Sequence, residues 1–384
     1  RQMCIRDRIY TFKLNKNAKW SNGDPVTADD FVWSWKRILT ASLGSQYPDM
    51  LYYVKNAESY HLGEIDDFSK VGVKAIDDST LEVELRSPTS FFIKLLHHYS
   101  TYPVHKETVL KFGPIDDRYG EWTRPGNFVC NGPFQLKSWE LNKKIVVERN
   151  PFYWDADEVK LNEMHFYPVQ NESTEDRMFR AGQLHVTNVV PLEKCPVYIE
   201  ENNPNLRIEP YMGTYFYRTN TTIDALKDKR VRKALAFAIN RKQVVERVSK
   251  CGQQPAYSFT PPGSDGYFPE TSIPFDPDLA KTLLSEAGYP NGIEMTIHVS
   301  TKEPTWPTIA EVMQQQLAKA GIKADIQMTP SKSYWKETWM KKAVAMTRWN
   351  ERPADSILHE AYHSGAKWNE SFYCLLYTSD AADE

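Results

Sequence analysis

Long apolar runs are missing from this chain of 384 residues. No stretch approaches the ~18 consecutive apolar residues that a membrane-spanning helix needs. An excess of charge is missing too. Against 50 acidic side chains stand 47 basic ones, a formal net charge of −3, which leaves no electrostatic footprint for nucleic acid or an anionic membrane. Cysteine is scarce, with five in all. Cys4 and Cys374 lie near the ends, and Cys130, Cys195 and Cys251 are widely spaced, with no C-x-x-C and no zinc spacing. So sparse and odd a set argues against a disulfide framework. It neither supports nor excludes an oxidising compartment.

Catalytic signatures are also absent. There is no G-x-S-x-G elbow, no Walker loop, no G-x-G-x-x-G and no H-E-x-x-H. His97 and His98 are adjacent and cannot both face one site; a surface pair near a bend is the simpler reading. The doublets Asp29-Asp30, Asp66-Asp67, Asp77-Asp78 and Asp116-Asp117 stand in turn or capping contexts, where carboxylates bond local amides. Cys130 and Cys195 are possible nucleophiles, but lone thiols more often serve as inert packing. No cofactor and no metal site are expected.

What is present is an aromatic-rich chain, with 21 Tyr and 11 Trp. Such side chains suit ligand grooves and large cores alike. The length allows two or three domains. Ile9 to Leu14 alternates like a half-buried strand. Thr27, with Asp30 three residues on, opens a helix from Ala28 to about Leu39. Val71 to Leu85 predicts a hairpin about Asp77-Asp78-Ser79, and Asn131 to Trp139 with Lys144 to Arg149 a second pair. Leu161 to Pro168, Leu184 to Val190 and Arg207 to Tyr217 read as strands, and Thr174 to Ala181 as a helix closed by Gly182. Asp228 caps one long amphipathic helix through Val231, Leu235, Ile239, Val245 and Val248, ended by Cys251-Gly252. A Pro/Gly-rich loop follows, Gln253 to Tyr267. Then come a helix from Pro277 to Gly288, a strand from Glu294 to Val299, a helix from Pro307 to Ala320 and a strand from Ile322 to Met328, an alternation that suggests an α/β domain. Residues 1–8 and 374–384 do not continue the pattern beside them. They resemble translated sequencing-adapter read-through, so the native chain is expected to be longer on both sides.

Five segments, in order, carry a family resemblance: YTFKLNKNAKWSNGDPVTADDFVWSWKR, VGVKAIDDSTLEVEL, NGPFQLKSW with VVERNPFYW, DKRVRKALAFAINR, and LLSEAGYPNG. The chain resembles the extracytoplasmic solute-binding proteins of oligopeptide and dipeptide ABC importers, from Ile9 to about Tyr373. The resemblance implies an α/β, two-lobed type II periplasmic-binding-protein fold with an accessory domain. In this numbering the accessory domain of the first lobe covers 9–105, the core of that lobe 106–212 and the second lobe 213–373, each lobe incomplete. It implies a receptor that captures short peptides between lobes and hands them to an ABC permease in the cytoplasmic membrane. Such a receptor is a monomer, not an enzyme, periplasmic or otherwise extracytoplasmic, either free or lipid-anchored. Other members carry an opine, an oligosaccharide or a nickel chelate. A secreted hydrolase using cleft carboxylates is the rival from another class, and a chaperone-like or sensory role a third.

The resemblance also implies ligand contacts at Tyr47, Asn188, Phe216, Tyr217 and Trp349. Phe216 and Tyr217 are strand neighbours, so one of them must point away. Oligopeptide binders carry an Asp soon after the Trp that matches Trp349, where it pairs with the peptide amino terminus. Here Asn350, Glu351, Arg352 and Pro353 follow instead. Glu351 or Asp355 is the expected substitute.

Overall fold

The computed structural model describes residues 8–373, apart from 90, 210, 265–266, 268–272, 304, 351–356, 367 and the side chain of His359. The chain divides into two compact units, Arg1–Gln170 and Asn171–Glu384.

In the first unit, β1 (Ile9–Lys13) is followed by helix α1 (Ala28–Leu39) and the hairpin β2 (Val73–Asp77) and β3 (Thr80–Glu84). These strands form an antiparallel sheet of order β1-β3-β2. The local signals act as the sequence suggests. The Asp30 carboxylate accepts from the Thr27 amide at 2.8 Å, and from the Trp20 indole N–H at 3.2 Å. At the hairpin turn Asp77 accepts from the Ser79 amide at 2.8 Å and from the Thr80 hydroxyl at 2.8 Å. Asp67 and Asp117 likewise accept from amides two residues on. These doublet carboxylates bond local backbone, as turn residues do. Trp35, Leu39, Leu51, Val83 and Phe92 fill the core beneath, each contributing roughly 1.5–3 kcal/mol on burial. A second antiparallel sheet has the order β4 (Phe134–Glu140), β5 (Lys144–Arg149), β6 (Glu163–Phe166).

The second unit begins with α2 (Glu172–Arg180) and α3 (Cys195–Glu200), then strand β7 (Gly213–Thr219). Next come α4 (Lys229–Phe237), α5 (Arg241–Val244) and α6 (Pro277–Glu286). The unit continues with β8 (Ile293–Ser300), α7 (Thr305–Lys319), β9 (Ile322–Thr329) and β10 (Val344–Asn350). The sheet order is β7-β10-β8-β9. β8 and β9 run parallel in register from Ile293↔Ile322 to Ser300↔Thr329, joined by the α7 crossover. β10 lies antiparallel to β7. One face of the sheet is covered by Val231, Ala234, Leu284 and Leu317, which pack on Ile297 and Ile322.

Four expectations need correction. Leu184 to Val190 forms no strand; this stretch is irregular, and the Asn188 amide donates to the Glu175 carboxylate at 2.7 Å instead of to a ladder. Arg207 to Tyr217 shortens, pairing only from Gly213. The helix expected from Asp228 to Val248 is broken after Ala238. There Gln316 of α7 takes the Asn240 amide at 3.0 Å, and the Asn240 side chain caps a new turn by accepting from Gln243 at 2.9 Å. Finally, Cys195 and Cys251 form a disulfide across a sequence separation of 56, with Cα atoms 5.6 Å apart. The wide spacing gave no local sign of it, because folding alone brings α3 beside the turn after α5.

Candidate functional site

β7 and β10 pair so that Trp349 faces Thr214, Thr347 faces Phe216 and Ala345 faces Arg218. In an antiparallel pair, opposed residues share a face and alternate residues do too. Thr214, Phe216, Arg218, Thr347 and Trp349 therefore stand on one face, and Tyr215, Tyr217 and Met346 on the other. A cavity of about 240 Å³ opens on the first face.

Half of its lining residues are aromatic. Phe216 meets Phe259 with centroids 4.8 Å apart, and Phe259 meets Trp349 at 5.6 Å and Tyr362 at 6.1 Å. Phe259 comes from the Pro/Gly-rich loop, and its carbonyl is pinned by the Thr214 hydroxyl at 2.8 Å. Trp368, Tyr373 and Glu370 complete the wall from the far end of the described chain.

Three charged side chains, Arg218, Arg232 and Glu370, sit in this wall. Arg218 is 3% exposed and donates from Nη1 to the Lys342 carbonyl at 2.9 Å. Burial lowers its pKa, while the Glu370 charge acts against that. Glu370 is 5% exposed, and its Oε1 accepts from the Trp349 indole N–H and, at 3.2 Å, from the Thr347 hydroxyl. Burial raises the Glu370 pKa despite these hydrogen bonds and the nearby guanidinium. Such clustering of perturbed groups in a concave aromatic site is the usual mark of a binding place.

Of the residues expected at a site, Phe216, Tyr217 and Trp349 are brought together here. Tyr217 borders the cavity, but its ring belongs to the opposite face. It packs edge-on against Tyr215 at 5.8 Å, and the two hydroxyls meet at 3.2 Å. Burial pushes its pKa up to about 12, so it stays neutral. Asn188 is exposed on an irregular segment of the same unit and does not line the cavity. Tyr47 belongs to the first unit, half-buried against His98 and Tyr99 at centroid distances of 5.0 and 5.8 Å. Glu351 and Asp355 lie outside the described residues. Among the described residues no group of three or more His, Cys, Asp or Glu is arranged to hold a metal.

Arg218, Phe259, Tyr362 and Glu370 were not foreseen. Arg218 had a visible signal, a cation in the middle of an aromatic strand. Glu370 had none, since its partners lie elsewhere in the chain.

The family model for bacterial extracellular solute-binding proteins, family 5 (middle), matches residues 6–369. The chain belongs to this family. Its members are solute-binding proteins. The periplasmic oligopeptide-binding protein OppA of Salmonella typhimurium is 40% identical over 296 residues, covering 73% of this chain and 52% of that protein. The chain spans about half the length of such relatives. Among solved structures, OppA of Burkholderia pseudomallei superposes with a TM-score of 0.82 at 32% identity, over 98% of this chain and 75% of that one. Haemophilus influenzae OppA in complex with RPPGFSPFR gives 0.80 at 28% identity, over 99% and 76%. The α/β, type II periplasmic-binding-protein fold implied by the resemblance is thereby borne out.

Proposed function

We propose that this chain is the central part of an ABC-importer receptor that binds short peptides and releases them unchanged. The observation that carries the reading is the aromatic cavity at β7 and β10, in a family one of whose solved members holds a peptide. Among the described residues β7 is an edge strand of its sheet. Its main-chain groups can pair with an extended peptide, which gives affinity that does not depend on sequence. The rings of Phe216, Phe259 and Trp349 supply apolar area beside that edge for side chains of varied shape.

The reading includes the finer expectations. Tyr47 and Asn188 contribute further contacts, and Glu351 or Asp355 receives the peptide amino terminus. Segments 9–105, 106–212 and 213–373 serve as the accessory domain and the two lobe cores. The receptor works as a monomer outside the cytoplasmic membrane and delivers to a permease. The Cys195–Cys251 disulfide supports an oxidising compartment. No step in this function makes or breaks a covalent bond.

The test is calorimetric titration of the full-length protein with di- to pentapeptides. Saturable heat at one peptide per chain supports the reading. Absence of heat and of thermal shift with every peptide removes it.

A further inference from the structure

The Cys195–Cys251 bridge stands at the root of the loop that carries Phe259. One end is firm. Cys195 is fully buried and opens α3, whose Tyr198 hydroxyl donates to the Asp176 carboxylate of α2 at 2.6 Å. The other end, Cys251, follows the turn after α5 and is half-buried. Beside it the Gly252 backbone lies against Ile208, on the segment between α3 and β7, so closely that a Cβ would come 2.7 Å from Ile208 Cγ2. From there to Phe259 the loop has little to hold it. Among the described residues, 252–258 make no backbone–backbone hydrogen bond. Their ties run through side chains. The Gln253 side chain accepts from the Cys251 amide at 2.9 Å, Arg241 stands over the Tyr257 ring at 5.6 Å, and the Ser258 hydroxyl donates to the Thr260 carbonyl at 2.7 Å.

Phe259 nevertheless joins the aromatic wall, against Phe216, Trp349 and Tyr362. The Thr214 hydroxyl holds its carbonyl. The ring therefore has one anchor beside it, Thr214, and a covalent one at the root of its loop. A covalent tie at the root narrows the positions open to a short segment without a ladder. A wall fixed before the guest arrives binds more tightly than one the guest must order.

We propose that Cys195 and Cys251 are positioning residues of the binding site. Their bridge keeps the Phe259 loop in the cavity wall, and its reduction weakens peptide binding while the protein stays folded. A dithiol reductant supplies the two electrons and two protons. The S–S bond becomes two thiols, and the reductant closes to its own disulfide. Linkage makes the effect reciprocal, so bound peptide makes the bridge harder to reduce by the same factor. The inference rests on the peptide-binding reading above and adds redox dependence to it.

The experiment uses the full-length protein and tetra-alanine with Phe placed at each position in turn. Affinities are measured by calorimetry with and without dithiothreitol, at a temperature where melting curves show both forms folded. The tightest of these peptides is expected to bind the reduced form at least about fivefold more weakly, the low end of coupling between sites. Thr214→Val removes the other anchor, so reduction should cost more there than in the wild type. Phe259→Ala removes the anchored ring, so its affinity should be weaker and indifferent to the reductant, although reduction still lowers its melting temperature. The Cys195→Ser, Cys251→Ser double variant should bind like the reduced wild type in either buffer. Equal affinity of the oxidised and reduced wild type overturns the inference and leaves peptide binding standing. So does a reduction penalty in Phe259→Ala as large as that of the wild type. If no peptide binds the oxidised protein, both fail.

Discussion

Glu370 joins local chemistry to the candidate site. Burial raises its pKa above the ordinary carboxyl value of 4.5, so the folded protein holds that proton more tightly than the unfolded chain. The sign of the pH dependence follows. Below the unfolded value both states are protonated and nothing is lost. As pH rises through the window above 4.5, ionisation is opposed only in the folded state, and stability falls. Arg218, Tyr334 and Tyr362 nearby keep one protonation state there: Arg218 stays charged, and both tyrosines are pushed upward by burial. Glu370→Gln removes the titration. Relative to this variant, the wild type should lose melting temperature as pH rises above about 4.5. A constant difference across that range would contradict the assignment.

Among the elements, the β8–β9 pair rests on a glycine contact that admits no side chain. Gly292 has φ +86°, and a Cβ there would lie 2.0 Å from the Gly321 carbonyl oxygen. Gly292→Ala should therefore destabilise the protein by more than about 1 kcal/mol in chemical denaturation, combining backbone strain with overlap. A neutral substitution would show that the parallel register does not need this approach. How much was legible in the sequence divides along the same physical line. Thr27 with Asp30, and Asp77 with Ser79, bond neighbours a few residues away, so their elements could be read directly. So could α7 and β9, separated by Gly321. The break after Ala238 could not be read, because its cause is Gln316, a side chain on another helix. Leu184 to Val190 has the alternation of a strand but finds no ladder, and alternation alone does not make one. Phe216 and Trp349 were reachable through their matched segments. The charges that share their cavity were not, because Arg218 and Glu370 acquire their meaning only once β7, β10 and the far end of the described chain meet.

For the molecule as a whole, the Cys195–Cys251 bridge ties a loop of the second unit closed over a separation of 56 residues. By the chain-entropy argument such a closure is worth roughly 4 kcal/mol. Reductant should lower the melting temperature measurably, and a Cys195→Ser, Cys251→Ser double variant should melt low with or without it. A wild-type melt indifferent to full reduction would contradict a stabilising bridge. Such a bond suits a protein that works outside the cytoplasm, as the proposed receptor does. That proposal reduces to non-covalent capture: one peptide held per chain and given back intact. Native mass spectrometry of the full-length protein incubated with a di- to pentapeptide library tests this most directly. The expected spectrum shows a single peptide adduct per chain, which on dissociation yields peptides of unchanged mass. A chain that stays bare throughout, or one that returns cleaved peptides, would contradict it.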